Sequence, residues 1–302
     1  MLPPGIFIWE SESRRPEPQS LAALHQGWKA DVDAFGPWQE SVYIDGVGEF
    51  LQGGSESRTT VVVTESCSST MEQARVLAEQ GVLGEWGALV AGVQLSGRGQ
   101  LRRPWMSSAG NLHVSVVMPA SPKTGAWQTA LDSLLSLFAG YIFSVVLTQL
   151  GTNIQLKWPN DLLQDGKKVG GLLIEEKNGI VILGLGINLV ECPSDEAMRE
   201  DHSAQAGVLE ISDNGGAPLS LWCTLVNRGK SVYSVLLDEL EPPQFISLAE
   251  KQLAWVGRKV LVREGDENSY HAEISGLSPD GGLLLRRGSQ EAVLYSGSIF
   301  PL

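Results

Sequence analysis

The chain has 302 residues, 43% of them hydrophobic, and 35 acidic against 22 basic side chains give it a formal net charge of -13. This length and composition predict a globular protein with one large and one smaller domain, and they exclude a disordered or fibrous chain. Because so acidic a protein repels DNA and anionic membranes, we expect neither nucleic acid nor membrane as a partner. The three cysteines are widely spaced, which argues against a disulfide framework or a zinc site and favours a cytoplasmic location.

The N-terminal residues 1–58 are predicted to be an irregular extension. They are punctuated by Pro, Gly, Ser and Glu, end in QGGSESR, and show no long helical periodicity. We expect no helix-turn-helix in this segment, and therefore no DNA-binding domain. Its first residues also lack the basic and apolar regions of a secretory signal.

A larger domain is predicted over residues 59–250. The run TVVVT indicates a strand, and the following SSTMEQARVLAEQG indicates a helix that begins with a capping box at Ser69 and ends at Gly81. Further strands are predicted at 88–94, 111–118, 154–158, 169–176 and 180–189, and further helices at 126–150 and 219–240. The apolar run 134–147 is too short to span a bilayer, so we interpret it as part of a core helix.

Two patterns indicate the fold class. Asn178-Gly179 is a type I′ hairpin signal between two predicted strands, which favours an α+β fold with a mixed or antiparallel sheet and segregated helices. Residues 251–302 contain short alternating strands separated by Gly, Asp and Pro turns, which predict a small separate β-barrel.

Three short stretches carry candidate chemistry. QLSGRGQLRRPW combines glycines, which allow close backbone approach, with arginines, which match phosphate oxygens, although a loop of this kind is by itself typical of an ordinary surface. In KWPND a lysine ends a strand immediately before a turn, and in GLGIN two glycines leave room beside a strand while an asparagine interrupts the apolar run. Taken singly, each could be a surface turn or a bulge.

Together and in this order after SST, these motifs resemble the biotin protein ligase family, most strongly over residues 61–189. The resemblance implies a catalytic fold like that of class II aminoacyl-tRNA synthetases, followed by an SH3-like C-terminal domain. It implies that biotin and ATP are the substrates, with Mg²⁺ carried in by ATP, and that they form biotinyl-5′-AMP. The biotinyl group then passes to a lysine of a biotin carboxyl carrier protein domain of a biotin-dependent carboxylase or decarboxylase.

The resemblance also implies roles for individual residues. A biotin carboxylate and an α-phosphate are both anions, so the reaction needs fixed positive charge, and the catalytic candidates are Lys157 and Arg98. The biotin-binding candidates are Ser69, Thr70, Gln94, Gly97, Arg98, Lys157, Gly171 and Gly186. The candidates for ATP and the adenylate are Arg98, Arg103, Trp105, Lys157, Asn160, Lys168 and Asn188, and no residue has the spacing of a metal ligand.

The sequence departs from the family pattern at two positions. Met71 stands where Asn usually follows Ser-Thr, and Arg102 replaces the glycine that usually precedes the last arginine of the loop. Two alternatives remain: a biotin-sensing transcriptional repressor, and a lipoyl or octanoyl transferase on a related fold. A homodimer is also left open.

Overall fold

A computed structural model of the protein describes residues 1–10, 15–54, 57–100, 103–194, 204–211, 216–265 and 268–302. Its helices are α1 (Pro18–Leu24), α2 (Gln26–Phe35), α3 (Thr70–Glu79), α4 (Trp127–Gln149), α5 (Pro218–Glu239) and α6 (Pro242–Gln252). Its strands are β1 (Gly5–Trp9), β2 (Gln39–Ile44), β3 (Gly48–Gln52), β4 (Thr60–Cys67), β5 (Ala88–Gln94), β6 (Leu112–Val117), β7 (Ile154–Lys157), β8 (Asp161–Gln164), β9 (Lys167–Lys177), β10 (Ile180–Ile187), β11 (Lys259–Glu264), β12 (Asn268–Leu277), β13 (Leu283–Arg287), β14 (Gln290–Leu294) and β15 (Ser298–Pro301).

The chain divides into two compact units. The first unit contains residues 1–120, 170–192 and 208–230, and the second contains residues 121–169, 193–207 and 231–302. This division into two units does not follow the domain boundaries at residues 58 and 250 that the sequence predicts. Those domain boundaries stay a prediction.

A mixed sheet forms the centre of the first unit. Its strands lie in the order β2-β3-β1-β4-β5-β6-β10-β9, with β4 parallel to both β1 and β5 and the other neighbours antiparallel. Met71, Ala74 and Leu77 of α3 join a buried cluster with Phe7 and Val62 of the sheet. This burial of one apolar helix face against the sheet stabilises the N-terminus of α3, where candidate binding residues lie.

The predicted irregular N-terminal extension is wrong, because the described part of residues 1–52 contains three strands and two helices. The run GIFIW pairs in parallel with β4, and every residue of that run is buried. Asp31 of α2 accepts hydrogen bonds from the Leu219 amide at 2.7 Å and the Ser220 amide at 3.0 Å, in the first turn of α5. Long-range pairing and capping order this segment, and neither is visible as local periodicity.

The second unit combines helices with a small sheet. Strands β14-β13-β12-β11-β15 form a five-stranded antiparallel sheet, here called the C-terminal sheet. The α+β class is therefore confirmed, with a large mixed sheet and a small C-terminal antiparallel one. Rings of Trp127 and Phe138 on α4, Phe245 on α6 and Tyr233 on α5 pack edge-to-face or tilted, with centroids 5.0–5.7 Å apart.

Helix α4 is the one helix, among the described residues, that is long and apolar enough to cross a membrane. Most of its apolar window is buried within the protein, and its buried side chains include Leu134, Phe138 and Leu147. The aromatic rings of Phe245 and Tyr233 pack on part of the same helix. Residues 134–147 therefore belong to a core helix, as predicted from the sequence.

Candidate active site

A chain of hydrogen bonds surrounds the N-terminus of α3 in the first unit. Gln94, the last residue of β5, accepts at Oε1 from the Thr70 amide at 2.9 Å and from the Thr70 hydroxyl at 3.0 Å. Ser115 of β6 donates to Thr70 Oγ1 at 2.8 Å, and Gln94 Nε2 donates to Ser107 Oγ at 3.1 Å. Because Oε1 faces an N–H donor, the amide orientation of Gln94 is fixed, and its NH₂ group points away from the helix.

Ser69 occupies the N-cap position of α3 but does not act as the cap. Its backbone is extended, with φ -154°, and within the described residues its side chain makes no capping hydrogen bond. The Gln94 amide oxygen satisfies the first helix amide in its place. Ser69 is 2% exposed; its carbonyl accepts from the Gln73 amide at 3.1 Å, but the helix end does not use its hydroxyl.

The arginine-containing loop closes on itself as a short hairpin. The Gly99 amide donates to the Arg103 carbonyl at 2.7 Å, and the Trp105 amide donates to the Gly97 carbonyl at 2.8 Å. A Cβ on Gly97 would lie 2.8 Å from the Trp105 carbonyl oxygen and 2.9 Å from Ser107 Oγ, so this position requires glycine. Arg102, the departure from the family pattern, lies outside the described residues.

Arg98 forms an ion pair with Glu72 in the first turn of α3. The distance from Arg98 Nη2 to Glu72 Oε1 is 2.8 Å, and the two side chains are 38% and 54% exposed. An exposed pair of this kind contributes about 0–1 kcal/mol and is screened by salt. The arginine is therefore held in place weakly enough for a stronger anion to compete with Glu72.

The glycines of GLGIN make room for other side chains of the protein. A Cβ on Gly186 would lie 2.5 Å from two indole carbons of Trp105, and a Cβ on Gly184 would lie 3.0 Å from Met71 Sδ. Gly171 lies opposite Gly186 in the β9–β10 pair. The prediction that these glycines leave open room beside the strand is wrong at Gly186, because the Trp105 indole covers it. Gly184 faces Met71, which belongs to the buried cluster under the sheet.

Asn188 follows β10 in a segment that Asn111 fixes. Asn111 Oδ1 accepts from the amides of Leu189 and Val190 at 2.8 and 2.9 Å, and Asn188 accepts at its carbonyl from the Leu209 amide at 2.7 Å. The sequence contains Asn111 in the motif NLHVS, but its role appears only when the three-dimensional contacts are known.

Two lysines converge on one carboxylate in the second unit. Asp161 begins β8 opposite Lys157 of β7; its Oδ2 lies 2.5 Å from Lys157 Nζ and its Oδ1 lies 2.6 Å from Lys168 Nζ. Burial disfavours the charged form of Asp161, but the attraction of Lys168 and then of Lys157 outweighs it and lowers the pKa to about 2. The cluster therefore holds two ammonium groups in place on one buried, ionised carboxylate.

The turn between Lys157 and Asp161 is Trp158-Pro159-Asn160. Trp158 donates from Nε1 to the Gly281 carbonyl at 2.9 Å, and Ser136 of α4 donates to the Pro159 carbonyl at 3.3 Å. The amide of Lys168 donates to the Gln205 carbonyl at 2.7 Å. These contacts hold the backbone on which both lysines are mounted.

The predicted site residues thus fall into two groups. Lys157, Asn160 and Lys168 belong to the second unit, and the others belong to the first: Ser69, Thr70, Gln94, Gly97, Arg98, Arg103, Trp105, Gly171, Gly186 and Asn188. Sequence reasoning gave no role to Asp161 or Ser115, although both stand inside the motifs KWPND and NLHVS. It gave Glu72 only a place in the predicted capping box with Ser69, whose side chain makes no capping hydrogen bond in the part of the chain that the structure describes. Among the described residues, no group of three or more His, Cys, Asp or Glu could hold a metal ion.

The chain is similar to known proteins. The model of the biotin/lipoate A/B protein ligase family matches residues 63–189. A biotin--[acetyl-CoA-carboxylase] ligase of Paracoccus denitrificans is 25% identical over 217 residues, covering 70% of this chain and 89% of the relative. The bifunctional ligase/repressor BirA of Escherichia coli (strain K12) is 28% identical over 247 residues, covering 78% of this chain and 71% of the relative.

A solved structure supports the same assignment. The biotin protein ligase from Aquifex aeolicus in complex with biotin and ATP matches with a TM-score of 0.63 and 25% identity, over 80% of this chain and 98% of that one. The motifs, the mixed sheet and these relatives agree, and residues 63–189 of the chain match the biotin/lipoate A/B protein ligase family.

Proposed function

We propose that this protein is a biotin protein ligase. It joins the carboxylate of biotin to the α-phosphate of ATP, which forms biotinyl-5′-AMP and releases pyrophosphate. It then transfers the biotinyl group to the amine of a lysine on a biotin carrier protein, and AMP leaves. The observation that carries the proposal is the pair of lysines fixed on buried Asp161, in a chain whose relatives are biotin protein ligases.

The charge of that cluster suits the first step. Attack of a carboxylate on a phosphate brings two anions together, and preorganised positive charge stabilises the transition state without reorganisation during the reaction. Lys157 and Lys168 supply this charge, and Asp161 holds both ammonium groups in place. Mg²⁺ enters with ATP and neutralises further phosphate charge.

The polar chain around α3 suits the biotin end. A ureido ring needs both donors and acceptors within a mostly apolar pocket. The fixed NH₂ group of Gln94 offers a donor, the Ser69 hydroxyl offers an adaptable partner, and the Trp105 indole offers an apolar wall. The Thr70 hydroxyl, which is bonded to Gln94 and Ser115, holds this polar chain in place. Arg98 leaves Glu72 to contact phosphate, and Arg103 and Asn188 add contacts to the adenylate.

We assign the second step to the carrier domain of a biotin-dependent carboxylase or decarboxylase. The net charge of -13 supports a reaction without nucleic acid, and the three widely spaced cysteines favour the cytoplasm. The repressor alternative is kept because several relatives are bifunctional ligase/repressors. A gel-shift titration at low salt tests it: specific DNA binding would establish the second activity.

The decisive experiment is ATP–pyrophosphate exchange with biotin, with lipoate and with neither. We expect exchange with biotin alone, because adenylate formation is reversible and needs the acyl substrate. Exchange that depends on lipoate would instead make the protein a lipoyl-activating enzyme. Absence of exchange with either acid, from a protein that is folded by circular dichroism, would overturn the proposal.

A further inference from the structure

We propose that Trp158 is a positioning residue, through which the C-terminal sheet holds the turn that carries Lys157 and Asp161. The inference rests on the proposed function, because its consequence is a change in the rate of adenylate formation. Trp158 is 5% exposed, and its indole Nε1 donates to the Gly281 carbonyl, in the turn between β12 and β13, at 2.9 Å.

A second contact reaches the same strand from the other side of Lys157. The Ala254 amide donates to the Leu156 carbonyl at 2.8 Å, and Leu156 pairs with Leu253 in an isolated parallel bridge. The residues immediately before and after Lys157 are thus both bonded to the segment that contains the C-terminal sheet. The lysine backbone is held between these two hydrogen bonds.

The acceptor for Trp158 is itself rigid. The Gly281 amide donates to the Ser278 carbonyl at 2.9 Å, and the Gly282 amide donates to Ser278 Oγ at 2.8 Å. Asp280 accepts from the Ser278 hydroxyl and, at 2.8 Å, from Tyr295 OH. Gly281 has φ +84°, and a Cβ there would lie 2.8 Å from a methyl carbon of Leu134 on α4, so the turn also lies tightly against a core helix.

The turn Trp158-Pro159-Asn160 joins the two members of the Lys157–Asp161 pair, which lie opposite each other in the β7–β8 register. A shift of the Trp158 ring therefore moves both groups. Misplacement of a catalytic group by about 1 Å can cost about 10²-fold in rate, so a small movement is measurable as a loss of kcat.

The chain offers a matched control in Trp127. It lies in the same unit, is also 5% exposed, and donates from Nε1 to the Leu240 carbonyl at 2.7 Å. Replacing either tryptophan by phenylalanine removes one buried indole hydrogen bond and leaves an aromatic ring. A merely structural role for Trp158 therefore predicts that the two variants behave alike.

The test compares Trp158→Phe with Trp127→Phe in biotin-dependent ATP–pyrophosphate exchange and in urea unfolding. We expect both variants to lose similar stability, and we expect Trp158→Phe alone to lower kcat, by about tenfold or more, with KM for biotin changed less than about twofold. Equal kcat values for the two folded variants would overturn the inference.

A second variant tests the same inference even if Trp158→Phe does not fold. Asp280→Ala loosens the acceptor turn from its exposed side, and we expect about a threefold lower kcat from the loss of hydrogen bonds that fix the turn. Wild-type kcat in Asp280→Ala contradicts the inference. If the wild-type protein itself shows no exchange, it is the proposed function that fails.

Discussion

Replacing Asp161 by asparagine should destabilise the fold and do so in a pH-dependent way. The carboxylate is buried and lies within 2.6 Å of both lysine ammonium groups, whose side chains are 11% and 30% exposed. Its pKa falls from 3.8 to about 2, and at about 1.4 kcal/mol per pKa unit this shift corresponds to about 2 kcal/mol of stability. The asparagine also leaves two ammonium groups facing a neutral amide, which raises the expected loss to about 3–5 kcal/mol.

The sign of the pH dependence follows from the direction of the shift. Because the folded pKa of Asp161 lies below its ordinary 3.8, its contribution is fully present above that value and is lost as pH falls from 3.8 toward about 2. The asparagine variant has no such group. The difference in unfolding free energy between wild type and variant should therefore shrink as the pH falls through this window.

Urea unfolding near pH 7 and near pH 3 measures both effects, because stability differences follow from the midpoint and slope of each curve. Asp165→Asn is the matched control: Asp165 is exposed in the same hairpin at φ +50°, a conformation that asparagine tolerates. We expect the control to lie within about 0.5 kcal/mol of wild type. The reasoning would be refuted if Asp161→Asn were as stable as the control. It would also be refuted if the loss of unfolding free energy were the same at both pH values.

Three further substitutions test the site. Lys157→Ala should slow single-turnover formation of biotinyl-AMP by about two to three orders of magnitude, since one preorganised donor contributes about 3–4 kcal/mol, and near-wild-type rates would contradict this. Glu72→Gln should lower KM for ATP by up to about fivefold, because it releases Arg98 from an exposed pair; an unchanged KM in steady-state kinetics would remove Glu72 as a competitor. Gly186→Ala should cost about 1–3 kcal/mol in urea unfolding and raise KM for biotin, because the new methyl displaces the Trp105 indole.

The parts of the fold that local signals specify could be predicted from the sequence. Asn178 and Gly179 have φ +56° and +72°, as a type I′ hairpin requires, and they join β9 to β10 where predicted. The N-terminal strands could not be predicted in this way. The run GIFIW is short and wholly apolar, and it becomes a strand through its pairing with β4, which lies far along the sequence.

The candidate site residues could also be predicted only in part. Motifs bring Thr70 and Gln94 together as their order suggests, and the Lys157 and Lys168 side chains converge in the second unit. The shared partner of the two lysines could not be deduced, because a lone aspartate in a turn is equally typical of a solvated surface. The use of Gln94 as the cap of α3 was also hidden, since Ser69 is the better cap by residue type.

Burial separates the candidate cationic residues of the two units into two kinds. Lys157 and Lys168 are fixed on a buried carboxylate, where salt screens little, whereas Arg98 lies against exposed Glu72, where screening is strong and exchange of partners costs little. A preorganised charge lowers the barrier of the chemical step, and an exchangeable charge contributes to capture of the anion. Ionic strength should therefore act mainly on KM for ATP through Arg98, while kcat, which depends on the buried lysines, changes little.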